Sequence, residues 1–215
     1  MAKVSASILN CNHARMAEAV QLAESGGADT IHVDVMDGVY CNNLTFGPGM
    51  VEAIKKECTL KVEVHFELVG VEHFIPMFIQ SGADSISFQL DACPNPIHAL
   101  KMIREAGLKA GIGFGPSYTI ERLPYLLHLV DSITLMSVEP GYGGQPFEES
   151  IFEKVKVAKE YMEKTGVFVP IEVDGGVNLS TGKRLVEAGA DTLIVGSYIF
   201  NSDNIKGRVE ALKKL

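Results

Sequence analysis

A short unit recurs three times in this chain: Ser25-Gly26-Gly27-Ala28-Asp29-Thr30, Ser81-Gly82-Ala83-Asp84-Ser85 and Ala188-Gly189-Ala190-Asp191-Thr192. A glycine just past a helix takes the left-handed conformation that closes it, and the next strand starts within a few residues. Between such points, apolar residues recur at helical spacing, as in Met16, Ala19, Val20 and Ala23, or Ile97, Leu100, Ile103 and Ala106. Short apolar runs near 3–9, 30–36, 60–66, 84–90, 109–115, 132–138, 169–174 and 192–196 read as eight strands, each followed by a segment long enough for a helix. Strict alternation implies parallel strands joined by right-handed crossovers. Eight units in 215 residues predict an α/β chain folded as a single (β/α)8 TIM barrel of eight parallel strands. An open doubly wound sheet satisfies the same periodicity. No linker or low-complexity tract interrupts residues 1–215, so one domain is expected.

Bulk properties narrow the partners. A hydrophobic content of 47% fills one large core. A net charge of −8 argues against nucleic acid or an anionic membrane as partner. No apolar run is long enough to span a bilayer, and Met1-Ala2-Lys3-Val4-Ser5 lacks the layout of a secretion signal, so a cytoplasmic protein is expected. Cys11, Cys41, Cys58 and Cys93 are scattered without a Cys-x-x-Cys pair and read as free thiols.

Three of the strands carry charge where apolar residues are the rule. In His32-Val33-Asp34-Val35-Met36, side-chain alternation puts His32, Asp34 and Met36 on one face. In Lys61-Val62-Glu63-Val64-His65-Phe66-Glu67 it groups Lys61, Glu63, His65 and Glu67, and the third strand, Pro170-Ile171-Glu172-Val173-Asp174, ends in a carboxylate. His32, Asp34, His65 and Asp174 all fall toward the carboxyl ends of their strands, where barrels assemble catalytic groups. Taken alone, His32 reads equally well as a hydrogen-bonded core residue. Together the four form a mixed nitrogen and oxygen set suited to one divalent ion such as Zn2+, Fe2+, Mn2+ or Co2+. His13, His73, His98 and His128 lie away from these strand ends and read as surface residues.

Glycine-rich segments supply a second signal. Pro140-Gly141-Tyr142-Gly143-Gly144-Gln145 follows the sixth strand, Gly175-Gly176 the seventh and Gly196-Ser197 the eighth. Backbone N–H groups in such segments can hold a phosphate without Lys or Arg, although each segment alone also serves as a plain turn. A divalent ion, two carboxylates and a phosphate grip together suit enolisation: one carboxylate removes the proton beside a carbonyl, the cation stabilises the enediolate, and a second carboxylate on the other face inverts the carbon.

The His-x-Asp-x-Met-Asp-Gly motif at His32–Gly38 and the Pro-Gly-aromatic-Gly-Gly-Gln motif at Pro140–Gln145 resemble those of the ribulose-phosphate 3-epimerases. Ser7-Ile8-Leu9, Asn43 with Thr45-Phe46-Gly47-Pro48, His65, Asp174-Gly175-Gly176 and Gly196-Ser197 extend the resemblance over essentially the whole chain. It implies His32, Asp34, His65 and Asp174 as metal ligands, with Asp34 and Asp174 doubling as the acid/base pair. It further implies Ser7, Leu9, Met36 and Met136 around the reacting atoms, and Gly143, Gly144, Gly175, Gly176, Gly196 and Ser197 on the phosphate. The implied reaction interconverts D-ribulose 5-phosphate and D-xylulose 5-phosphate, and a homo-oligomer is implied as well.

Four positions depart from the family pattern. Glu67 stands where Met is usual, Gln89 where His is common, and Gly115 and Glu139 where Asn is usual. Glu67 could bind a substrate hydroxyl, add a ligand or alter the carboxylates. Glu67 and Gly115 keep D-allulose 6-phosphate open as an alternative substrate. The Asp-x-Lys-x-x-Asp arrangement of related decarboxylating barrels is absent, since Val33-Asp34-Val35-Met36-Asp37 has no lysine. A barrel that binds sugar phosphate without turnover is the remaining alternative, and it leaves two histidines and two carboxylates unexplained.

Overall fold

The computed structural model describes residues 2–215. Eight strands, β1 (Lys3–Ser7), β2 (Thr30–Met36), β3 (Lys61–Glu67), β4 (Ser85–Gln89), β5 (Lys109–Phe114), β6 (Ser132–Met136), β7 (Ile171–Asp174) and β8 (Thr192–Val195), close into a barrel in sequence order. Every pairing is parallel, including β1 with β8, so closure replaces the open-sheet alternative. Around it run α1 (Met16–Ser25), α2 (Pro48–Glu57), α3 (Val71–Gln80), α4 (Pro96–Glu105), α5 (Ile151–Thr165), α6 (Leu179–Ala188), the single turn α7 (Ser197–Phe200) and α8 (Ile205–Leu212).

Two expectations change. The segment between β5 and β6 forms two 3-10 turns, Leu123–Tyr125 and Leu127–Leu129, instead of a helix. Pro124 has no N–H to continue a helical ladder there, yet Ile120, Leu123, Leu126 and Leu127 still cover the barrel. The first strand stops at Ser7, and Ile8–Asn10 form a 3-10 turn that carries Leu9.

The two faces of the strands are chemically opposite. Outward residues such as Val33, Val64, Phe66, Phe88, Ile112 and Leu135 are fully buried against the helices. The inward face is polar: Thr30 donates to Ser5 at 2.7 Å, Ser5 to Glu63 at 2.7 Å, and Thr134 to Glu172 at 3.2 Å. On β5 the inward positions are Gly111 and Gly113, and a Cβ on Gly113 would stand 2.9 Å from His65 Nε2. The barrel is therefore filled with hydrogen-bonded polar groups where branched aliphatics are the usual filling.

The recurring aspartate has a structural role. Asp29, Asp84 and Asp191 precede β2, β4 and β8, and each carboxylate accepts the backbone N–H of the second residue of the preceding strand or its first: Val4 at 2.7 Å, Val62 at 2.8 Å and Ile171 at 2.9 Å. Each aspartate N–H returns a bond to the same residue's carbonyl. Asp131, before β6, clamps Ala110 in the same way at 2.9 Å, completing a fourfold set.

Candidate active site and metal centre

The β2–β3 register sets Asp34 beside His65 and Met36 beside Glu67, so two charged layers stack along the barrel axis. His32 lies deeper than a strand end: it is the third residue of β2, one pleat below Asp34. His32 Nε2 stands 3.1 Å and His65 Nδ1 3.5 Å from Asp34 Oδ1, and the Ser7 hydroxyl donates to Asp34 Oδ2 at 2.8 Å. Asp174 joins them from β7, and one donor atom from each of His32, Asp34, His65 and Asp174 lies within 4.8 Å of the others. That is close to the span of about 4 Å that opposed ligands take around one ion at bonds of about 2.1 Å. The His65 Nδ1 is buried without any hydrogen-bond partner, which is the state of a nitrogen awaiting a cation. On both counts the residues fit a divalent ion.

A supporting layer orients the imidazoles. His32 Nδ1 faces Glu63 Oε2 at 3.8 Å, so Nε2 points up toward Asp34. Gln89 sits 3.3 Å from His65 Nε2 with its own Oε1 unpartnered. An amide oxygen turned to that side accepts the Nε2 proton and leaves Nδ1 as the lone pair aimed at the cluster.

Burial and charge push the two aspartates apart. Burial alone would raise Asp34, but His32 and His65 outweigh it and hold its carboxyl well below the usual range. Burial and the neighbouring Asp34 push Asp174 up to about 7. Burial opposes a charged His32, yet Asp34, Glu63 and Asp174 prevail and raise it well above 6.5, while burial and His32 lower His65. Beneath them burial and Glu63 push Glu172 up to about 8. Glu67 is raised by burial and by Asp34 and Asp174. Two carboxyls with opposite preferences for a proton are the arrangement that acid and base roles require.

Above this cluster lies one cavity. Ser7, Leu9, Met36, Glu67 and Met136 line it together with Asp34 and Asp174, and Gly143, Gly144, Gly175, Gly176, Gly196 and Ser197 form its opposite side. Among the described residues that line it there is no lysine or arginine. Gly175 has φ 99°, and a Cβ there would meet Val138 at 2.5 Å, so the turn that delivers the segment to the cavity requires glycine. Ser137 braces the same turn, donating from its N–H to the Asp174 carbonyl at 2.8 Å.

Sequence reasoning passed over Asn10. Its side chain packs where a Cβ on Gly143 would fall and 3.3 Å from one on Gly196, so it holds two glycine segments at one separation. Asn43 adds a tie from the β2 loop, donating to the Gly141 carbonyl at 2.7 Å. The glycine at 143 signals a close approach; which residue approaches is visible only once β1 and β6 are placed. His13, His73, His98 and His128 lie outside the cavity and the cluster.

Comparison with known proteins gives one consistent answer. The chain is 36% identical to the ribulose-phosphate 3-epimerase of Bacillus subtilis over 99% of both proteins. It is 34% identical to that of Escherichia coli, over 98% of this chain and 94% of that protein. It is also 38% identical to the chloroplastic ribulose-5-phosphate-3-epimerase of Arabidopsis thaliana, over 98% of this chain and 75% of that protein. Among solved structures, a mutant tryptophan synthase α-subunit from Pyrococcus furiosus superimposes with a TM-score of 0.75 at 15% identity, covering 100% of this chain and 98% of that one, a likeness of fold alone. The model of the ribulose-phosphate 3 epimerase family matches residues 3–200, and with the cavity and its four-residue cluster this settles the affiliation: the chain belongs to the ribulose-phosphate 3-epimerase family and is an isomerase of that type.

Proposed function

We propose that the protein is a metal-dependent epimerase that inverts C3 of a ketose phosphate, converting D-ribulose 5-phosphate to D-xylulose 5-phosphate. One observation carries the reading: two carboxylates, delivered by β2 and β7, share a cluster with two imidazoles at the floor of a cavity whose far side is glycine-rich backbone. His32, Asp34, His65 and Asp174 would hold one divalent ion, Zn2+, Fe2+, Mn2+ or Co2+, which supplies Lewis-acid stabilisation of developing negative charge on the substrate's oxygens.

The remaining work falls to side chains and backbone. One of Asp34 and Asp174 takes the C3 proton and the other returns a proton to the opposite face, and the reverse reaction exchanges their roles. Ser7 fixes the Asp34 carboxylate through its 2.8 Å bond. Leu9, Met36 and Met136 pack over the reacting carbons and keep water from the enediolate. Gly143, Gly144, Gly175, Gly176, Gly196 and Ser197 take the phosphate on backbone N–H groups, as a cavity without basic side chains demands. No helix among the described residues is long and apolar enough to cross a membrane. Within this reading the protein is a cytoplasmic homo-oligomer built from one domain, 1–215, and its four free cysteines suit a reducing compartment.

Exchange of the C3 proton in D2O, followed by NMR, tests the reading on D-ribulose 5-phosphate and D-allulose 6-phosphate. Metal-loaded protein should exchange C3 of the pentulose phosphate, and Asp34→Asn and Asp174→Asn should each lower the rate by about 10²–10⁴. Binding without exchange would make the barrel a sensor, and an Asn variant that keeps most of its rate would contradict the acid/base assignment.

A further inference from the structure

Glu67 is the last residue of β3 and is 1% exposed, yet its Oε2 has no hydrogen-bond partner. It lines the cavity one pleat above His65, beside Met36. A buried carboxyl oxygen left unpaired is costly, and native structures keep such groups where something else completes them. Of the side chains level with it, Met36 and Met136 offer no donor, and the Gln89 amide on β4 lies against Met136 Sδ at 2.7 Å and His65 Nε2 at 3.3 Å, so the missing donor comes from whatever fills the cavity.

The closed barrel says which part of that occupant Glu67 meets. In an eight-stranded ring β7 is the fourth strand from β3 in either direction, so Glu67 and the Gly175-Gly176 turn face each other across the mouth. Gly143-Gly144 and Gly196-Ser197, in the segments that follow β6 and β8, flank that turn, which confines a phosphate to the far side. The reacting carbons lie between, over Asp34 and Asp174. The end of the substrate remote from its phosphate therefore reaches Glu67.

We propose that Glu67 is a specificity-determining residue that accepts a hydrogen bond from the C1 hydroxyl of the ketose phosphate. The inference rests on the epimerase reading above and deepens it. It also separates two kinds of selectivity. Lengthening the sugar from a 5-phosphate to a 6-phosphate changes the distance from the reacting carbons to the glycine segments, on the side away from Glu67. Glu67 reads the carbinol terminus and not the chain length.

D-Xylulose 5-phosphate and 1-deoxy-D-xylulose 5-phosphate differ only in that hydroxyl, and C3 proton exchange in D2O gives kcat/KM for each. The wild-type protein should favour the hydroxylated sugar by at least about a hundredfold, because a site built around a donor leaves its acceptor unpaired when the donor is missing. Glu67→Met should bring the ratio to within about tenfold, slowing the hydroxylated substrate and accelerating the deoxy one; Glu67→Gln, which keeps an acceptor, should retain a clear preference. Bound metal, measured by elemental analysis, should be the same in all three proteins. Equal wild-type rates on the two sugars would overturn the proposal, as would an unchanged ratio in Glu67→Met. Loss of metal from Glu67→Met would make Glu67 a ligand instead. A wild-type protein that exchanges neither sugar overturns the epimerase reading itself.

Discussion

Ser7 and Asp34 are joined by a 2.8 Å hydrogen bond that crosses from β1 to β2 and ties down the one carboxylate oxygen that the imidazoles leave free. Asp34 is thereby held by three neighbours, one each from β1, β2 and β3. Bonds to charged groups contribute about 1.5–3 kcal/mol, so Ser7→Ala should slow turnover by about ten- to a hundredfold while leaving the fold intact. Steady-state kinetics beside a circular dichroism spectrum checks this. A rate near wild type would show that His32 and His65 orient Asp34 unaided.

Gly113 creates the space in which His65 and Gln89 meet. A methyl group there would stand 2.9 Å from His65 Nε2 and 3.2 Å from the Gln89 amide. Gly113→Ala should therefore rotate the imidazole away from the cluster and weaken metal binding by about 10–100-fold, the scale on which outer-layer partners of ligands act. Metal affinity measured by competition with a chelator decides the matter; unchanged affinity would place His65 outside the ligand set.

Protons and metal compete for the same carboxyls. Asp174 and Glu172 are raised to about 7 and about 8 in the folded protein from ordinary values of 3.8 and 4.5. A raised group contributes stability that is fully present below its unfolded value and is lost as pH climbs through its folded value. His32, also raised, acts with the same sign, and the depressed His65 acts oppositely but below its ordinary 6.5. Chelator-treated protein should thus lose Tm between about pH 6.5 and 8.5. Metal affinity should rise across that interval as Asp174 gives up its proton. Scanning calorimetry with and without the ion reads both trends, and a flat metal-free profile would refute the assignment.

The fourfold clamp sits at the end of the barrel away from the cavity. Asp131→Ala leaves the N–H of Ala110, itself 1% exposed, without its acceptor. The expected cost is about 1–3 kcal/mol in urea unfolding, with kcat unaltered. A loss of activity without a loss of stability would be the contrary result.

The strand order and two of the three charged strands were legible because alternation in β2 and β3 is strict, and a period of two fixes which residues share a face. Three of the four clamps were visible as a repeated Gly-Ala-Asp. The fourth was hidden because Asp131 follows Val130 and a pair of 3-10 turns, with no glycine closing a helix before it. The depth of His32 escaped for a different reason: alternation reports a face, whereas height along the barrel depends on the stagger between neighbouring strands. Asn10 was invisible for want of any local pattern, since its role exists only between two segments far from it in the chain. Glu67 stood out by departing from the family pattern, and the unpaired oxygen that gives the departure chemical meaning emerges only in three dimensions.

A lining of serine, threonine, glycine and glutamate inside the barrel, against a jacket of valine, isoleucine and phenylalanine outside it, separates two duties along every strand. Cohesion resides largely in the annulus between sheet and helices, which leaves the axis to chemistry. Such a scaffold lets a single inward letter be rewritten for a new contact with a sugar, and position 67 is the one proposed to make it.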